Sequence, residues 1–191
     1  MRGTIDKLAG QVLVAMPTLE DPNFWRTVVL VVVHNAEEGA FGLVLNRPLE
    51  VPMAEVLREL GHEVPDPGSL PPVMAGGPVE PTHGFVLFEG DEGADGTRLE
   101  VEPGLVLSGE TETLFGLADG RLSGRFLLFL GYSGWAPGQL EREIEENSWL
   151  VAPFTTELLF DTPAARRWNA ALRSIGVDPG TLVDTGGAAP S

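Results

Sequence analysis

The sequence predicts one α/β domain. Three observations carry that expectation. Apolar runs rich in valine and leucine are bounded by turn residues, as at Val28–Val33 followed by Asn35–Gly39. Other stretches place apolar residues at helical spacing, as at Met53, Val56, Leu57 and Leu60. The length of 191 residues, with 43% hydrophobic and 21% charged side chains, suits a single self-supporting core.

Taken in order, residues 11–17 read as a buried first strand. Val28–Val33 is β-branched enough for a strand buried on both faces. Asn35–Gly39 turns it into a second strand, which makes a central hairpin. Pro48 and Pro52 stop that strand, and the helix starting at Met53 is closed by Gly61. Residues 61–81 hold Pro65, Pro67, Pro71, Pro72, Pro78 and Pro81 and read as an ordered loop. Strands are expected at 84–89, 98–102 and 104–107, with a turn over Gly90–Gly96. Ser108 is expected to cap a short helix carrying Leu114, Phe115 and Leu117, which Gly120 closes. RFLLFLG is the next buried strand, Gly138–Asn147 an acidic helix, and Trp149–Ala152 a short strand. The last helix is expected to start at Thr162 as cap, with Pro163 in its first turn, and to run through Trp168, Leu172 and Ile175 to Gly176. Residues 1–178 thus read as one domain and 179–191 as a short, frayed tail.

The absence of cysteine removes disulfides, thiolate metal sites and thiol nucleophiles, and points to the cytoplasm. The aliphatic run Val28–Val33 is far shorter than the roughly twenty residues of a membrane span, so no membrane insertion is expected. The formal charge is -16, and direct nucleic-acid binding is disfavoured because its affinity rests on cations that displace phosphate counterions.

The segments AMPTLEDPNFWRTVVLVVVHN, GLVLNRPL, GGPVEPTHGFVLF, LGYSGWAPGQLEREI, NSWL and LLFDTP, in this order, resemble the AlgH/YqgE family of small bacterial proteins. The resemblance implies an α+β fold with a strongly bent mixed sheet, partly closed into a barrel and flanked by helices. Members are commonly labelled transcriptional regulators, which names a role without a mechanism.

No catalytic residue, metal ligand or cofactor is expected. Ser133 falls short of a nucleophile elbow because Trp135 stands where that motif needs glycine. His34, His62 and His83 lack metal-ligand spacing and read as structural. The adjacent acids Glu37 and Glu38, and Glu145 and Glu146, point in different directions and read as solvated faces. GYSGWAPGQ reads as a tight strand-to-helix connection whose glycines either satisfy backbone geometry or leave amides to hold an anion. Asp21 and Asn23 form a polar corner after the first strand. Asn46 and Arg47 form another, with a guanidinium fork suited to a carboxylate, a phosphate or an ion pair. Gly76 and Gly77 permit close approach of a strand or a ligand. Trp135 supplies an apolar wall, and Gln139 an amide.

If these corners meet, those eight residues line one ligand-binding groove. The expectation is a non-enzymatic binding or regulatory protein with an unknown small ligand or a protein partner. The alternatives are a transcriptional regulator that acts through a protein partner and an enzyme on a small anionic substrate.

Overall fold

The computed structural model describes residues 8–19, 21–91 and 98–185. Nine strands are formed by β1 (Gln11–Ala15), β2 (Val28–Asn35), β3 (Gly39–Val44), β4 (Val73–Ala75), β5 (Val79–Glu89), β6 (Arg98–Glu102), β7 (Leu105–Ser108), β8 (Phe126–Trp135) and β9 (Trp149–Pro153). Six α-helices accompany them among the described residues: α1 (Met53–Glu59), α2 (Thr111–Asp119), α3 (Gln139–Glu145), α4 (Thr156–Phe160), α5 (Arg167–Ser174) and α6 (Pro179–Thr185). The strands form one sheet in the order β6-β7-β5-β8-β3-β2-β1-β9, with β4 on β8. Among the described strands, only the pairing of β4 with β8 is parallel. The sheet curls into a half-barrel with helices around it, the α+β architecture that the resemblance implied.

The central hairpin and the neighbouring β1 have their two faces covered. Val12, Val14, Val28, Leu30, Leu43 and Leu45 point into the curl, where Trp168 and Leu172 of α5 close it. The alternate residues Leu13, Val29, Val31 and Val44 point outward under Leu140 of α3 and the indoles of Trp135 and Trp149. Period-two alternation thus hides inside an unbroken apolar run. On the other half of the sheet, Val86, Phe88, Val106 and Leu128 face outward beneath Met53 and Leu57 of α1 and Leu114 and Leu117 of α2.

Strand β8 joins the two halves. Its residues Phe126–Leu130 pair with β5, and Leu128–Leu130 pair with β4 on the other edge. Its end, Ser133–Trp135, crosses to β3. The tight connection expected over GYSGWAPGQ is therefore confined to residues 136–138, and Gly131 to Trp135 belong to the strand. The glycine signal was real but marks a kink, with Gly131 at φ +78°.

Several other boundaries differ from expectation for local reasons. The 61–81 segment contains β4, and β5 begins at Val79, because Pro78 precedes the strand and Pro81 lies inside the irregularity of the β5–β8 pairing between Val79 and Gly84, so neither breaks a regular ladder. Ser108 ends β7. Its hydroxyl accepts from Glu110 N and donates to Thr113 Oγ1, while Glu110 itself occupies the cap position of α2. Thr162 caps nothing and instead donates to the Glu157 carbonyl. Ahead of it lies α4, whose cap Thr155 accepts from Leu158 N. Residues 179–185 of the expected tail form α6, where Asp178 accepts from Gly180 N and Leu182 packs on the inner core. Residues 186–191, and most of the turn expected at Gly90–Gly96, lie outside the described residues.

Candidate functional site

The polar corners singled out from sequence fall into three adjoining arrangements. In the first, the loop from β1 to β2 is clamped by the residues that follow β3. Asp21 Oδ1 accepts from Asn23 N at 2.9 Å. Asn46 accepts from Val28 N at 3.0 Å and donates to the Arg26 carbonyl at 2.8 Å, which holds Arg26 in a left-handed conformation at φ +52°. The Arg47 guanidinium donates to the carbonyls of Asn23 (2.6 Å), Pro22 (3.3 Å) and Trp25 (2.9 Å). Its fork therefore meets main-chain oxygens, not a carboxylate. Burial pulls its pKa below the ordinary guanidinium value, and the nearby Asp21 charge opposes that shift. Replacing Asn46 with alanine strands a buried amide and a carbonyl, so a loss of about 1–3 kcal/mol in urea unfolding is expected.

In the second arrangement, backbone meets backbone. Ala75 N donates to the Arg47 carbonyl, Val44 N to the Gly76 carbonyl and Gly76 N to the Leu130 carbonyl, each at 2.8 Å. A Cβ on Gly76 would sit 2.3 Å from Gly131 O, and one on Gly77 would sit 2.2 Å from the Tyr132 backbone. The buried Ser133 hydroxyl donates to the Gly76 carbonyl at 3.2 Å. Close approach of a strand, the first of the two options left by the sequence, accounts for both glycines.

In the third, the Glu143 carboxylate on α3 collects three donors. Its Oε1 accepts from Trp135 Nε1 at 3.0 Å and Trp149 Nε1 at 2.9 Å, and its Oε2 accepts from Gln139 Nε2 at 2.9 Å. Gln139 also accepts from Ala136 N at 2.9 Å, tying off the 136–138 turn. Phe24 packs against both indoles, with ring centroids 6.1 and 5.6 Å away, and so links this arrangement to the first. Glu143 was not singled out in the sequence because it lies in an acidic helix that reads as solvated.

His62 and His83 rest on aromatic rings, whereas the buried ring nitrogens of His34 make no hydrogen bond among the described residues. His62 stacks on Phe115 at 4.1 Å, and its Nε2 lies 2.8 Å from Asp119 Oδ1. That contact, and then Arg121, hold the Asp119 carboxyl below its ordinary range. His83 leans on Phe85, and His34 Nε2 lies 3.4 Å from Glu141.

A cleft of about 470 Å³ opens elsewhere, on the outer face of the sheet where α1 and α2 diverge. Val56, Glu59 and Leu60 form one wall, and Glu110, Thr111 and Leu114 form the other. Gly84 and Val86 of β5 and Leu128 and Leu130 of β8 make the floor. Leu60 stands 47% exposed at the rim. None of the eight groove residues expected from sequence lines this cleft. Its volume lies within the usual range for ligand pockets, and its lining is mostly apolar.

A family model described as AlgH-like matches residues 12–180. A UPF0301 protein of Magnetococcus marinus is 45% identical over 179 residues, covering 93% of this chain and 94% of the relative. Another, from Methylococcus capsulatus, is 43% identical over 189 residues, covering 98% and 99%. Among solved structures, the solution structure of the AlgH protein from Pseudomonas aeruginosa matches with a TM-score of 0.75 at 37% identity, over 96% of this chain and 95% of that one. A crystal structure of a Corynebacterium diphtheriae protein matches with a TM-score of 0.67 at 28% identity, over 87% and 86%.

Proposed function

We propose, from the premise that the chain belongs to the AlgH-like family, that it is a non-enzymatic binding module that engages a partner protein through the cleft between α1 and α2. The observation that carries this reading is the mostly apolar cleft left open where the two helices diverge: Val86 and Leu128 of its floor are buried, while Val51, Val56 and Leu130 are half-buried and Leu60 stands in water at its edge. Apolar surface of this kind gains free energy only when another surface removes it from water. The polar corners give the reading no competing site, because their donors and acceptors already hold the fold. A regulatory role exerted through a protein partner fits the same reading, since a formal charge of -16 opposes contact with phosphate backbones. A cytoplasmic address agrees with the lack of cysteine. Among the described residues no helix is long and apolar enough to cross a membrane.

The test uses Nile red, a neutral apolar dye whose emission rises when it leaves water. The wild-type protein should bind it saturably. Leu60→Glu, at a half-exposed position where folding tolerates charge, should weaken it about tenfold, equivalent to about 1.4 kcal/mol. Equal binding by both proteins, with unchanged thermal midpoints, would remove the cleft as the docking site.

A further inference from the structure

We infer that the cleft accepts a basic, amphipathic segment of its partner protein, whose apolar side chains fill the floor while a lysine or arginine meets Glu59 and Glu110 on the two rims. This rests on the proposed role of the cleft in binding and adds the chemistry of the occupant.

The rims carry the argument. Glu59 lies in the last turn of α1 and Glu110 just ahead of α2, and both are exposed. No lysine or arginine is among the lining residues, and the one imidazole there, His83, leans on the Phe85 ring. The nearby Arg58 lines a separate hollow with His62 on the far side of α1. The carbonyl end of α1 adds partial negative charge beside Glu59. The amide end of α2 adds about half a positive charge, but Glu110 and Glu112 in and next to its first turn outweigh it. An apolar floor between two carboxylate rims therefore selects for a cationic amphiphile and against an acidic one. The formal charge of -16 acts in the same direction at longer range, speeding the approach of basic partners. The cleft has room for a few side chains and not for a whole helix, so the occupant presents one face of a segment that remains largely in solvent.

The test is fluorescence anisotropy with a rhodamine-labelled amphipathic peptide of leucine and lysine, about twelve residues long, beside its leucine–glutamate counterpart. The wild-type protein is expected to bind the lysine peptide at least tenfold more tightly. The double variant Glu59→Lys/Glu110→Lys is expected to lose tenfold or more of that affinity while binding Nile red as before. A control with the same change in net charge, Glu145→Lys/Glu146→Lys on and beside α3, should lose no more than about threefold.

Equal losses in the two double variants would mean that the lysine peptide responds to overall charge, and the inference would fall. Loss of Nile red binding in the wild-type protein would instead overturn the cleft itself. Retained dye binding with no preference for the lysine peptide would overturn only the cationic occupant.

Discussion

Replacing Glu143 with leucine is expected to lower the stability of the fold by about 2–5 kcal/mol, or roughly 4–20 °C in thermal midpoint for a chain of this size. The carboxylate accepts hydrogen bonds from two indoles and one amide. Trp135 and Trp149 are 5% and 1% exposed, so neither N–H can turn to water when its acceptor is removed. Each stranded donor costs on the order of 1–3 kcal/mol, and leucine supplies no replacement. Glu143→Gln keeps a carbonyl oxygen that can serve one or both indoles, so it should retain at least half of the lost stability. Because Phe24 packs on both rings, tryptophan emission should shift in the leucine variant even before unfolding. The check is urea denaturation followed by fluorescence. A loss below about 1 kcal/mol would show that the indoles find water or other acceptors, and that Glu143 does not organise this side of the sheet.

The sequence disclosed what depends on composition and local period, and it hid what depends on apposition. Val28–Val32 could be recognised as a strand because five consecutive buried residues in a β-branched run have few other homes. The same logic located β1, the central hairpin, α1 and α3. The residues Val73–Ala75 were obscured because prolines surround a strand that is completed by bonds to Arg47 and Leu130, distant in sequence. The helix α4 was missed although Thr155 offers an ordinary cap, because the following Thr162-Pro163 pair gave a stronger start signal that the fold does not use.

At the candidate site the difference is sharper. Arg47 and Asn46 looked like ligand contacts because their side chains are suited to planar recognition, and the nearest planar acceptors turned out to be carbonyls of a loop more than twenty residues away. The cleft left no local signature, since its walls and floor come from residues 51–60, 81–86, 109–114 and 128–130. Leu60, which the helical spacing groups with Met53, Val56 and Leu57, instead stands 47% exposed at its rim.

Two substitutions in GYSGW separate a strand from a ligand-holding loop. Gly131→Ala is expected to cost several kcal/mol, enough to abolish accumulation of folded protein at 37 °C, for two reasons that add. At φ +78° an alanine carries roughly 1–2 kcal/mol of left-handed strain. Its Cβ would also stand 2.4 Å from the Gly77 carbonyl oxygen and 3.1 Å from Pro81 Cα, both main-chain atoms that move only if β8 separates from its neighbours. Gly134→Ala, three residues later, meets only the Tyr132 ring at 3.7 Å and has no positive φ, so it should change stability by less than about 1 kcal/mol. A flexible anion-binding loop would respond differently, tolerating both alanines and losing ligand affinity instead of stability. Comparable midpoints for the two variants would therefore show that residues 131–135 are not locked into the sheet. A large loss confined to Gly131→Ala would establish that this glycine serves the junction where β8 passes from β5 to β3.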